Sequence, residues 1–144
     1  MPEQVMAQQP KLLSDDNVRR FIASDSDNSG ILFCVGTWGK MTGAEGKGED
    51  IGAALREFGA AGHVLQVHMR NISSPLPNFS ETFPDGGYLD MFEIIDALID
   101  IGFDGMIVPD HVPGQDHEMP VNEAFTLGYL GVLIQYAERR RSTR

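Results

Sequence analysis

The chain has 144 residues, a formal charge of −10 and a single cysteine. An acidic surface repels nucleic-acid phosphates and anionic membrane faces, so neither nucleic acid nor membrane is expected as a partner. One cysteine excludes an intramolecular disulfide, no stretch approaches the roughly 20 apolar residues of a membrane span, and the polar start lacks a secretory leader. A cytoplasmic location is therefore expected.

In chain order, Met1 to about Lys11 is polar and Gln-rich and is expected to be loosely attached. Ser14 is a plausible N-cap for a short helix to Ala23, carrying Val18, Phe21 and Ile22. The cluster from Ser24 to Gly30 reads as a turn. Residues 1–24 are thus a lead-in, and 25–144 form the domain.

Three strand–loop–helix units follow. The strands are Ile31–Val35, Val64–Met69 and a run about Met106–Val108. The first helix spans about Glu49–Ala61, with Ile51, Leu55 and Phe58 on one face and Gly62 as its stop. The second spans about Tyr88–Ile101, with Met91, Ile94, Ile95 and Leu98 inward, and Gly102 ends it. The third spans about Asn122–Arg139, with Leu127, Leu130, Ile134 and Ala137 inward and a basic end suited to the helix dipole.

Long loops follow the strands (Thr37–Gly48, Arg70–Gly87, Asp110–Val121), and the returns are short. This pattern predicts an α/β fold of parallel strands, a partial TIM-type (β/α) barrel of about three units with its chemistry at the carboxyl ends of the strands. A full barrel takes about 250 residues, so three units leave strand edges and an inner face open. Self-association, or pairing with a missing barrel half, is expected to cover them.

Cys34, His68 and Asp110 fall at those carboxyl ends. Strands about 4.8 Å apart bring such positions together, and thiolate, imidazole and carboxylate make a mixed site for a divalent transition metal. The plainer readings stay open: a lone strand cysteine as a small core residue, a lone strand histidine as packing. Asp110-His111 is stiffened by Pro109 and Pro113 on either side. His63 lies at the far end of its strand and reads as structural, and His117 as a solvated loop residue. Trp38 either walls a pocket or caps the core, and Lys40 and Lys47 read as solvated loop charges.

The runs Phe33-Cys34-Val35-Gly36-Thr37, Val67-His68-Met69-Arg70-Asn71, Glu81 through Met91, Gly102 through Gly105, Pro109-Asp110-His111-Val112-Pro113 and Leu127 through Leu130 resemble the C-terminal half of mannonate dehydratase. The resemblance covers nearly everything after about Asp25. It implies a xylose-isomerase-like barrel that dehydrates D-mannonate to 2-keto-3-deoxy-D-gluconate in hexuronate catabolism, using Mn²⁺ or another divalent metal. By resemblance Cys34, His68 and Asp110 are metal ligands, His111 is the acid/base, and Arg70 and Asn71 face the small sugar-acid substrate.

Two departures stand out. The family takes a further histidine ligand from an earlier strand, and its catalytic tyrosine position falls in Asn122–Thr126, which has no tyrosine. Tyr129 lies nearby but reads as packing. The alternatives to the lyase are a non-catalytic, self-associating half-barrel remnant and a metal-dependent sugar isomerase or epimerase.

Overall fold

Carboxylate caps and glycine stops fix where the helices begin and end. The computed structural model describes residues 15–23, 30–41, 50–114 and 117–143. Its elements are α1 (Asp15–Ile22), β1 (Ile31–Cys34), α2 (Val35–Lys40), α3 (Ile51–Ala60), β2 (Val64–Met69), β3 (Asn71–Ile72), β4 (Glu81–Thr82), α4 (Met91–Asp100), β5 (Met106–Pro109) and α5 (Met119–Ser142). Asp50 caps α3 by accepting from the Ala53 amide at 2.8 Å. Asp90 caps α4 by accepting from the amides of Phe92 and Glu93. Gly62 and Gly102 follow these helices at φ 76° and 67°, a conformation that a Cβ would strain.

The strands β1, β2 and β5 form one parallel sheet in the order β1-β2-β5. Its register aligns Cys34 with His68 and His68 with Val108. Side chains alternate across the sheet. Phe33 and Val67 turn to the helices and are fully buried. Leu32 and Met106 occupy the other face and are exposed. Among the described residues the helical layer packs on one side only, with Leu55, Phe58, Ile95, Leu98, Leu130 and Leu133 completing the core. This is a partial TIM-type barrel: parallel strands, helices outside, and the inner face open among the described residues.

Several expectations change in detail. The stretch after β1 starts with a helix, α2, which runs directly from Cys34. The loop after β2 contains an antiparallel hairpin, β3–β4, pairing Asn71 with Thr82 and Ile72 with Glu81. Helix α5 starts three residues before the expected Asn122. Leu127, expected inward, is 55% exposed, while Thr126 and Leu133 are buried instead. The reason is that α5 is apolar on more than one side, so its spacing does not single out the core face. Ser14, the Gln-rich start, the 24–29 turn and Lys47 lie outside the described residues.

Trp38 belongs to the core: its ring stacks on Phe33 at 4.8 Å and tilts against Phe58 at 5.5 Å. Val18 and Ile22 of α1 pack against the same cluster, and Arg19 grips Glu57 on α3 through two nitrogens at 2.6 and 2.8 Å. No helix among the described residues is long and apolar enough to cross a membrane.

Candidate metal centre

The parallel register does most of the assembly. It sets Cys34, the last residue of β1, beside His68 on β2, and Asp110 follows directly on β5. Asp110 Oδ2 is the common point. Cys34 Sγ lies 3.5 Å from it, His68 Nδ1 3.7 Å and Arg70 Nε 3.5 Å. One ligand atom from each of Cys34, His68 and Asp110 lies within 4.8 Å of the other two.

These residues fit a divalent ion. An ion bound at roughly 2.0–2.3 Å by sulfur, nitrogen and oxygen holds its donors about 3.0–3.7 Å apart, which matches the separations of Asp110 Oδ2 from Cys34 Sγ and His68 Nδ1. The donor set mixes soft sulfur, borderline imidazole and hard carboxylate, a combination suited to a transition metal.

Behind the three ligands stands a supporting network. Thr37 Oγ1 donates to Cys34 Sγ at 3.0 Å, and Arg70 Nη2 donates to Thr37 Oγ1 at 3.4 Å. Arg70 Nη1 bonds Glu81 Oε1 at 3.2 Å. Arg70 thus touches one ligand, Asp110, and Thr37, the partner of another, while lying only 4% exposed. Its Nε and Glu81 Oε2 are buried without a hydrogen bond. Gly36 makes the packing possible, because a Cβ there would fall 2.3 Å from Arg70 Nε.

The pair expected to face the substrate is buried among the described residues. Arg70 is covered and held between the carboxylates of Asp110 and Glu81. Asn71 is 1% exposed and spends its amide on backbone. It donates to the carbonyls of Pro84 and Leu89 and accepts from the amides of Ile72 and Leu89. It clamps residues 84–89 against the rim, and Gly87 leaves room for it, since a Cβ there would lie 2.0 Å from Asn71 Oδ1.

His111 stands outermost, with its side chain 61% exposed and Nε2 3.5 Å from Asp110 Oδ1. Its φ of 43° is a left-handed conformation that a non-glycine residue adopts at a cost. His63 contributes its carbonyl to Ile31 N at 2.7 Å at the opposite end of the sheet, and His117 is exposed before α5.

Lys40 is a residue that sequence reasoning set aside. At the end of α2 it lies half-buried, its Nζ 4.6 Å from the centre of the Phe79 ring. Burial, reinforced by Arg70, holds its ammonium below the ordinary lysine range, against the opposing pull of Glu81, Cys34 and Asp110. Nothing in the sequence spacing marks it, because Val35–Lys40 was expected as strand end and loop, and only the helix α2 places Lys40 against Phe79.

A cleft of about 450 Å³ lies elsewhere, at the far end of the helical layer. It is bordered by the ion pairs Arg56–Asp100 and Arg140–Asp96, and none of the candidate ligands lines it. A smaller cavity of about 130 Å³ adjoins Cys34 between α1, β1 and α2.

The family model for D-mannonate dehydratase (UxuA) matches residues 2–131. The chain belongs to the mannonate dehydratase family. Mannonate dehydratases from Thermotoga petrophila and Oceanobacillus iheyensis are 34% and 36% identical over 107 and 110 residues, 71% of this chain in each case. The chain spans only 28% and 29% of those two relatives. Among solved structures, mannonate dehydratase from Streptococcus suis matches 88% of this chain and 38% of its own, with a TM-score of 0.74 at 24% identity. A xylose isomerase domain protein from Planctomyces limnophilus matches 88% of this chain and 43% of its own, with a TM-score of 0.66 at 20% identity. Both likenesses concern the fold.

Proposed function

We propose that this chain carries a metal-binding rim of a hydro-lyase that converts D-mannonate to 2-keto-3-deoxy-D-gluconate, with Mn²⁺ held by Cys34, His68 and Asp110. The observation that carries this reading is the convergence of those three donor atoms at the carboxyl ends of adjacent strands. When bound, the ion supplies Lewis-acid stabilisation for negative charge on the sugar acid as its α-proton leaves.

The chain's own residues supply the acid and the positioning, and a base on the remaining strands of the barrel takes the α-proton. His111, exposed beside Asp110, holds a proton at Nε2 and delivers it to the departing β-hydroxyl, which leaves as water. Lys40 gives the rim an ammonium for the substrate carboxylate. Arg70 stays behind the ligands and holds Asp110 and Thr37 in place. The remaining strands of a barrel complete the pocket.

A second reading, a metal-binding half-barrel without turnover, draws support from α5. Asn122–Thr126 lie within that helix, and Tyr129 stacks on Phe125 at 6.4 Å. One experiment separates the two. The chain is titrated with Mn²⁺ under reducing conditions and then assayed with D-mannonate. Cys34→Ala or Asp110→Ala is expected to weaken Mn²⁺ binding by about a hundredfold or more, and unchanged affinity would refute the ligand assignment. Product formation abolished by His111→Ala supports the lyase, whereas metal binding without product selects the second reading.

A further inference from the structure

The outer face of α5 is apolar where a solvent-facing helix is ordinarily polar. Val121, Phe125, Val132 and Tyr136 recur at spacings of four and seven residues and so share one stripe. All four are exposed, Val121 at 72% and Val132 at 64%. A different stripe, with Thr126, Leu130, Leu133 and Ala137, packs inward. Two of its rings touch the rest of the chain at their edges: Phe125 meets Phe83 at 5.3 Å, and Tyr136 meets Phe92 of α4 at 5.8 Å.

Gly128 interrupts the stripe. A mid-helix glycine weakens a helix, yet a Cβ at Gly128 would meet nothing within 4 Å. No packing inside the described chain calls for it. A glycine on an exposed apolar stripe instead permits another helix to approach closely.

The stripe is complementary to its own reverse. In two antiparallel copies centred between Gly128 and Tyr129, Phe125 meets Val132 and Val121 meets Tyr136. The same register sets Gly128 against Tyr129 and leaves room for its ring. At the ends, Glu118 meets Arg139, and both lie on the stripe by helical spacing. Apolar faces apolar, and each charge faces its opposite. A two-fold interface requires such self-complementarity, whereas an arbitrary partner does not. We propose that this face of α5 docks a second copy of the chain, with the two α5 helices antiparallel about that point.

The test is sedimentation velocity of the purified chain across the micromolar range, with circular dichroism to verify folding. The wild-type chain is expected to be dimeric and Val132→Arg monomeric. Arg139→Glu is expected to weaken the dimer about tenfold, and adding Glu118→Arg to that variant should restore it. A monomeric wild-type chain would overturn the proposal. So would association indifferent to Val132→Arg, which would assign the contact to the sheet edges or inner face, and so would a double charge swap that fails to restore the dimer.

Discussion

A single methyl group at Gly36 tests whether the network behind the ligands sets metal affinity. In Gly36→Ala the new Cβ would stand 2.3 Å from Arg70 Nε and 2.5 Å from its Cγ. Ordinary contact begins near 3.4 Å, so the middle of the Arg70 side chain must move by about 1 Å, more than small adjustments absorb in a packed site. That motion separates Nε from Asp110 Oδ2, now 3.5 Å away, and Nη2 from Thr37 Oγ1, now 3.4 Å away. Every ligand remains in the chain, so the loss is that of an outer partner, about 10–100-fold in affinity or about 1.4–2.7 kcal/mol. Overpacking adds about 1–3 kcal/mol of lost stability. Mn²⁺ titration by calorimetry reads the first effect and urea unfolding the second. If Gly36→Ala binds Mn²⁺ as tightly as the wild-type chain, Arg70 does not position the ligands and the network is only packing.

Two further predictions follow from the same rim. Asn71→Ala removes four hydrogen bonds to backbone groups, leaving some of them buried, and should cost about 3 kcal/mol or more in urea unfolding. Amide exchange at Leu89 should accelerate in that variant, and unchanged protection there would contradict the clamp. Lys40→Met should weaken sugar-acid binding about tenfold while leaving Mn²⁺ affinity within about twofold; an equal loss of both would make Lys40 a structural residue. The fold disfavours the charged lysine, so the unfolded chain holds more protons between the lowered value and 10.5. Stability therefore rises with pH through that window, and sugar-acid affinity falls over it. In Lys40→Met the alkaline rise in stability should disappear from the unfolding series.

The helices show where the sequence is most informative. In α3 and α4, Asp50 and Asp90 cap one end, Gly62 and Gly102 stop the other, and apolar residues recur every three or four positions. These are local interactions, and local interactions are written in adjacent residues. In α5 the same method misplaced Leu127, because apolar residues line several sides and only the neighbouring elements decide which side is core. The hairpin β3–β4 was illegible for a similar reason: two residues per strand carry no period, and pairing across the loop creates it.

By itself the sequence determined the three parallel units, the strand ends on which Cys34, His68 and Asp110 sit, and the family to which the motifs point. Those features depend on strand order and on residue type at fixed spacing. Only the tertiary structure decided what the rim does with its other polar residues. It turned Arg70 and Asn71 inward, raised Thr37 and Glu81 into the supporting network, and half-buried Lys40 against Phe79. The physical reason is that burial and partnership of a polar side chain depend on residues far away in the chain, and no local pattern records them.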